Sequence, residues 1–525
     1  MKTGLRFTFG LKEFLRHRLT FEEAKSVVEK NLRTREENFL KLAKKGIFEY
    51  PKSPYLPLLK LSHCEYKDVE RLVARDGLEA ALKILQADGV YITIEEFKCR
   101  SRVKRGGQEW VFKEKDFDNP FIASCYEKRS GGTRSAGTRV MVDFDHMSIT
   151  PTRQFLQFRS WGLEKIPHVI LRPKLPHGAG MTVMLKLAKM GINPIRWISL
   201  VDEHSLKISL RTRLGISYLF WLGRLYGEKF PEPELIPFED IRKVAEIVAG
   251  ISRASGGCCV HTNVSNAVRL CLAARENKID LSGVRFSGCG EPLTETKKQV
   301  IESAGAKYAL IYAVTEIGGV LGNLCLRAEC ADDLHFFKDF MALITYPRKV
   351  ADTQVDAFLF TTLLSPTPKI LLNVESGDYG VVKKRDCGCP YAEMGFDVHI
   401  SHIRSFEKLT GEGATFYATD LIRLVEEVLP SKFGGSGLDY QLVEQPGPQG
   451  LTRLFVFVSP RVGPINEEEV IQTVLNELKK GPDAYRIMAR NWAQAKTVGV
   501  RREAPVRTKV GKQYPLYIAQ EEEAL

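Results

Sequence analysis

Between residues 119 and 400 the chain repeats one pattern, a short apolar run followed by a longer stretch whose apolar residues recur at helical spacing. "HVILR", "IRWISLV" and "KYALIYAV" are of the first kind, and "MTVMLKLAKMG" and "DIRKVAEIVAGISRAS" are of the second. Alternation of strand and helix signals predicts an α/β fold, a sheet covered by helices. Residues 1–118 read differently. "FEEAKSVVEKNLRTREENFLKLAKKG" predicts helix ending at Gly46, and the whole segment reads as a mostly helical lead-in. After residue 400 a helix "ATDLIRLVEEVL", strands "LDYQLVEQ" and "TRLFVFVSP" joined by "PGPQGL", a helix "NEEEVIQTVLNELKKG" and a strand near "KTVGVRREA" predict a small α+β unit.

Bulk properties narrow what such a chain does. At 525 residues it is too long for one core. No apolar run approaches the roughly 18 residues of a membrane helix, so no membrane span is expected. The N-terminus lacks an uninterrupted apolar core of signal-peptide type, so secretion is not expected, and a reducing, cytoplasmic location is the expectation. Eleven cysteines, an odd number, then read as thiols, core residues or metal ligands. The 76 Lys and Arg against 64 Asp and Glu give 76 − 64 = +12, which favours anionic partners. The positive residues are spread along the chain in short clusters such as "KCRSRVKR", so no nucleic-acid partner is expected and a phosphorylated cofactor is the better reading.

Five segments carry the chemistry. They are "RSGGTRSAGT" (129–138), "GCGEPLTETKKQVIESAGAKYALIYAVTEIGG" (288–319), "ESGDYGVV" (375–382), "HIRSFEKLTGEGATFYATDL" (402–421) and "VRTKVGKQYPLY" (506–517). The first lacks the Gly-Lys-Ser/Thr ending of a Walker loop, and its residues alone leave it open between a phosphate-holding loop and a polar connector. A basic stretch such as "RTKVGK" is, by itself, often a solvated edge.

In this order and at these separations the segments resemble the adenylate-forming superfamily of acyl-CoA synthetases, and most closely its phenylacetate-CoA ligase-like branch, over residues 115–517. The resemblance implies a large N-terminal multi-sheet α/β adenylation domain over 1–403, a hinge at 404–408 and a small C-terminal α+β domain over 409–525. It implies ATP- and Mg2+-dependent activation of a carboxylic acid as an acyl-adenylate, followed by thioester formation with coenzyme A. By the same resemblance Ser130, Gly132 and Thr133 would contact the β- and γ-phosphates, with Arg134, a departure from the family's loop ending, adding a charge-assisted contact. Gly290, Glu291 and Pro292 would wall the adenine pocket, Tyr312 would stack on the base, Thr315 would contact the α-phosphate and Glu316 would reach Mg2+. Ala313 stands where the family commonly has glycine. Asp378 would accept from the ribose hydroxyls, Arg404 would contact ribose and phosphate, and Lys512 would bridge the carboxylate and the α-phosphate during adenylation. A carrier-protein phosphopantetheine is the alternative acceptor. A non-catalytic basic binding protein on a ligase fold is the reading of another class, and a homodimer is a compatible assembly.

Cys330 and His335 in "ECADDLH" with Cys387 and Cys389 in "DCGCPY" sum to three thiolates and one imidazole, which suits a closed tetrahedral zinc site pinning two parts of the large domain. Reduced buried cysteines beside a satisfied histidine are the other reading. The acyl pocket of the fold is lined by segments around 176–182, 258–265 and 288–292, where His177 and His261 read as core histidines. An aromatic or medium-sized acid would fit the branch.

Overall fold

The computed structural model describes residues 2–122, 126–129, 139–173, 179–200, 210–226, 230–350, 353–405, 408–411, 414–417, 423–447, 451–480, 489–490, 492–506 and 516–518. The alternation expected between 119 and 400 is present. Twelve strands form one sheet: β1 (His168–Leu171), β2 (Arg196–Ser199), β3 (Pro233–Leu235), β4 (Cys258–His261), β5 (Val284–Gly288), β6 (Lys307–Val314), β7 (Gly319–Leu324), β8 (Leu334–Phe336), β9 (Met341–Val350), β10 (Thr353–Thr362), β11 (Val374–Lys384) and β12 (Val398–Ser405). Their spatial order is β9-β10-β11-β12-β8-β7-β6-β5-β4-β1-β2-β3.

From β3 to β6 every neighbouring pair runs parallel. A parallel step needs a crossover, and the helical stretches supply it: Ala179–Lys189, Leu210–Leu225, Ile241–Ser255, Val264–Glu276 and Glu295–Ser303. Burial on both faces is why β1 and β4 read as nearly continuous apolar runs, since every residue in them is buried. From β6 to β9 all pairs are antiparallel.

The lead-in differs from its sequence reading in one detail. Its helix starts on a capping box, with the Glu23 N–H donating to Thr20 Oγ1 (3.2 Å) and the Thr20 N–H to the Glu23 carboxylate (2.8 Å). It runs as Phe21–Arg33 and Arg35–Ala43 and then widens into a looser turn, Lys44–Phe48, instead of stopping at Gly46. Gly46 leaves room for Ile370, whose Cδ1 would lie 2.3 Å from any Cβ there. Phe39, Leu42, Leu82 and Phe97 of the lead-in share one hydrophobic core with Leu359 and Val374 of the sheet and Ile370 of the connection between β10 and β11. No helix among the described residues is long and apolar enough to cross a membrane.

The C-terminal unit has its own core, with Leu442, Val456, Val474 and Trp492 at its centre. Its sheet holds β13 (Tyr440–Pro446), β14 (Thr452–Val458), β15 (Val498–Arg501) and β16 (Leu516–Ile518) in the order β15-β14-β13-β16. The last strand was not expected, being three residues that pair parallel to β13. Of the 404–408 segment, Arg404 and Ser405 end β12, Lys408 opens a hairpin with Ala414–Tyr417, and 406–407 lie outside the described residues.

One buried ion pair fastens helix Phe144–Ser160 to the turn before β9. Arg153 is 1% and Asp339 0% exposed. Arg153 Nε donates to Asp339 Oδ1 at 2.8 Å, a second guanidinium nitrogen donates to Oδ2, and Nη1 donates to the Ile149 carbonyl at 2.8 Å. The guanidinium also lies over the Phe340 ring, 4.4 Å from its centroid. Removing one member strands a charge in the core, so Arg153→Ala is expected to cost about 3–5 kcal/mol in denaturant unfolding of the large unit, and the apolar pair Arg153→Met with Asp339→Leu distinctly less. A single-variant cost below about 1 kcal/mol would show that the pair is no anchor.

Candidate functional site

In a parallel sheet the carboxyl ends of the strands form one edge, and ligands gather there. On this edge stand Arg172 after β1, Thr262 and Asn263 after β4, Cys289–Pro292 after β5, and Thr315 and Glu316 after β6. Gly290 has φ of 106°, a left-handed turn that favours glycine and lets the chain leave β5 sharply. The Glu291 carboxylate, 7% exposed, accepts from Asn263 Nδ2 (3.2 Å), from the Ser265 N–H (2.9 Å) and from the Ser265 hydroxyl. It therefore ties the β5 turn to the first turn of helix Val264–Glu276, where a negative charge is favourable. The same edge is braced by Tyr308, whose hydroxyl donates to the Thr262 carbonyl at 2.9 Å.

The antiparallel half brings up the opposite wall. The Tyr312 hydroxyl on β6 donates to Asp378 Oδ2 on β11 at 2.8 Å, and the Asp378 N–H donates to Ser376 Oγ at 3.2 Å. Burial, reinforced by the Asp378 carboxylate, holds the Tyr312 phenol well above its usual range, so it stays a proton donor. Asp378 is 6% and Glu316 5% exposed, and Thr315 is half-buried. Ala313 sits at a register shift between β6 and β7 and keeps a negative φ, so this backbone does not require glycine there. Arg404 lies opposite Tyr379 on β12, and its Nη1 is 3.3 Å from Asp332 Oδ2. Asp332 also accepts the His402 and Ile403 N–H groups at 3.0 and 3.1 Å, so it fixes the end of β12 just before residues 406–407.

The structure thus brings Tyr312 and Asp378 into contact, with Thr315 and Glu316 following on β6 and Arg404 on the strand beside Asp378. Ser130, Gly132, Thr133, Arg134, His177 and Lys512 lie outside the described residues. The strands on either side of 130–138, Tyr126–Arg129 and Arg139–Val142, pair as an antiparallel hairpin. Lys512 falls between Val506, bonded through its backbone to Gln441, and β16. His261 is a core residue: its Nε2 is 2.8 Å from His168 Nδ1, and burial pushes His168 down to about 4.

The thiol cluster changes the expected ligand set: Cys325 replaces Cys330, and the four donors that converge include His399 rather than Cys389. His335, Cys387 and Cys389 come together, but Cys330 does not join them; its sulfur is 3.6 Å from Asp332 Oδ1 in the turn between β7 and β8. Cys325 takes that place, 3.6 Å from Cys387. Strand register is the reason. Asn323 pairs with His335 and His335 with His399, so Cys325, two residues beyond Asn323, shares their face, whereas Cys330 is at the tip of the connecting turn. The missed signal was the two-residue period "N-L-C" ending a strand. His335 Nδ1 is held 2.8 Å from the Phe396 carbonyl, leaving Nε2 at 3.1 Å from Cys389 and 3.6 Å from Cys387. His399, absent from the sequence reading, has Nδ1 2.6 Å from Asp333, and its buried Nε2 has no hydrogen-bond partner.

Cys325, His335, Cys387 and His399 present donor atoms all within 4.8 Å of one another. Hydrogen bonds from Cys325, aided by His335, pull the Cys389 thiol well below its usual range. Soft, closed, nitrogen-and-sulfur donors whose histidines are each oriented from behind fit a structural zinc ion.

No family model matches the sequence, and no curated protein does. Solved structures match in shape. A 2-hydroxyisobutyryl-CoA ligase, in complex with 2-HIB-AMP and CoA, aligns with a TM-score of 0.54 at 12% identity, over 93% of this chain and 90% of that one. The amide bond synthetase McbA from Marinactinospora thermotolerans aligns at 0.42 and 12% identity, over 74% and 67%. The o-succinylbenzoate CoA synthetase MenE from Bacillus subtilis aligns at 0.41 and 10% identity, over 75% and 68%. The first match shows that this chain shares the fold of that CoA ligase.

Purified protein is expected to carry zinc near one equivalent per chain by metal analysis, with Cys325→Ser losing most of it and Cys330→Ser keeping it. Retention by Cys325→Ser together with loss by Cys330→Ser would reverse the ligand assignment.

Proposed function

We propose that the protein is an ATP- and Mg2+-dependent acid–thiol ligase of the phenylacetate-CoA ligase-like kind, acting on an aromatic or medium-sized carboxylic acid in a reducing, cytoplasmic compartment. The observation that carries this reading is the meeting of Tyr312 and Asp378 across the sheet, with Thr315, Glu316 and Arg404 on the adjoining strand ends. A buried carboxylate already holding one phenol keeps a second oxygen for a ribose diol, and a half-buried tyrosine ring is a flat apolar seat for adenine.

The chemistry explains why these groups are needed. A carboxylate is a poor electrophile. One of its oxygens attacks the α-phosphorus of ATP, the bond to pyrophosphate breaks, and the acyl-adenylate remains. A thiolate then attacks the acyl carbon and AMP leaves. Charge accumulating on the phosphoryl oxygens is best met by groups fixed beforehand. Glu316 would hold Mg2+, Thr315 would donate to the α-phosphate, and Arg404 would add a cation whose position is set by Asp332. Lys512 would neutralise the attacking carboxylate and the α-phosphate together. The loop at 130–134 would take the outgoing pyrophosphate. Coenzyme A is the proposed thiol, and a comparison of coenzyme A with a phosphopantetheinylated carrier as acceptor separates the two.

Three variants test the assignment. Asp378→Asn is expected to raise the Michaelis constant for ATP about 10- to 100-fold, the worth of charge-assisted hydrogen bonds to the ribose. Lys512→Ala should reduce acid-dependent pyrophosphate exchange far more than thioester formation from supplied acyl-adenylate. Arg404→Ala should lower exchange without changing zinc content. Equal losses in both half-reactions for Lys512→Ala, or no exchange with any acid by the unaltered protein, would sink the reading.

A further inference from the structure

Among the described residues, Arg172 is a charged group on the carboxyl edge to which the proposed nucleotide site assigns no role. It follows β1, and its Nη2 donates to the Thr262 carbonyl at the end of β4 at 3.0 Å. The guanidinium reaches over the last residue of β5. A Cβ on Gly288 would lie 2.9 Å from that nitrogen and 1.7 Å from the Thr262 oxygen, so a side chain at 288 would fill the place where Arg172 sits. Its Nε is buried with no hydrogen-bond partner, and no carboxylate among the described residues pairs with it. Beside it Thr262, 0% exposed, has a hydroxyl that is buried and unpartnered as well. The backbone of Arg172 is fixed, because Trp197 Nε1 donates to its carbonyl at 2.8 Å.

A half-buried guanidinium left with a single backbone carbonyl and an unfilled donor is costly unless something anionic completes it. It touches two of the segments expected to line the acyl pocket, 258–265 and 288–292. The nucleotide groups gather instead around β6 and the antiparallel half, and β5 and β4 separate β1 from β6. At ~4.8 Å per strand, the tip of Arg172 over β5 is on the order of 5–10 Å from the end of β6. The anion is thus at the far end of the acid, away from the carboxylate being activated.

We infer that Arg172 selects an acid with a second anionic group, in the simplest case a dicarboxylic acid whose far carboxylate pairs with the guanidinium and whose near carboxylate is adenylated. This rests on the ligase reading above and narrows its substrate class. Thr262 Oγ1 donates the second hydrogen bond to the same carboxylate. Both groups act on binding and orientation, and neither takes part in the bond changes.

Matched acids test it on the full-length chain. Pyrophosphate exchange is measured with glutarate against pentanoate and with adipate against hexanoate. The diacid is expected to be preferred in kcat/KM by about 100-fold, the scale of a desolvated charge pair. Arg172→Gln should reduce that preference to about threefold or less, and Arg172→Lys should restore part of it. A wild-type preference for the monoacids, or an Arg172→Gln loss equal for both acids with a higher Michaelis constant for ATP, would overturn the assignment, the latter moving Arg172 to the nucleotide. Absence of exchange with every acid sinks the ligase reading separately. The site is then read from melting temperature: a shift by adipate over hexanoate in the wild type that Arg172→Gln abolishes supports it, and equal shifts in both proteins overturn it.

Discussion

Strand β6 is the member on which the working edge depends. One of its sides pairs parallel with β5 and the other antiparallel with β7, so a single extended segment joins two halves built on different rules. The parallel half delivers strand ends and loops to one edge because every crossover returns the chain to the same starting side. The antiparallel half delivers side chains from strands that run back and forth, and Asp378 reaches the edge that way. The Tyr312–Asp378 hydrogen bond is a side-chain link between β6 and a strand deep in the antiparallel half, and it requires β6 to be held from both sides.

Away from that seam the adjacent residues Asp332 and Asp333 divide the labour. Asp332 receives the backbone of His402 and Ile403 and the guanidinium of Arg404, and Asp333 receives His399 and Arg385. One side of the pair thus fixes the end of β12, and the other orients an imidazole toward the thiol cluster. The cluster and the end of β12 are linked through one short turn, so a metal bound at the cluster would stiffen the platform on which Arg404 is carried.

Much of this was legible in the chain. The alternation of apolar runs and helical stretches specified a sheet with crossovers, because burial on both faces favours apolar residues in β1 and β4, whose two histidines, His168 and His261, bond to each other. The change of pattern after residue 400 marked a second core, and the structure has one there. The short motifs around Tyr312 and Asp378 held two side chains that the structure brings into contact. Where local signals were weak the reading missed: β16 is three residues long, the turn through Gly46 depends on Ile370 more than 300 positions away, and Arg172 belongs to no motif.

The ligand set shows most directly what a sequence leaves open. Residue types and proximity along the chain suggested Cys330 with His335, since both lie in one short segment. The pairing of β7 with β8 and of β8 with β12 chose Cys325 and added His399, because register decides which side chains share a face and register is set by partners distant in sequence. By itself the sequence determined the fold class, the two cores and the identity of the groups available for chemistry, all of which follow from local periodicity and composition. Only the tertiary structure decided which of those groups meet, since a contact between β6 and β11, or between the residue after β1 and the end of β5, is a property of strand order and of nothing local.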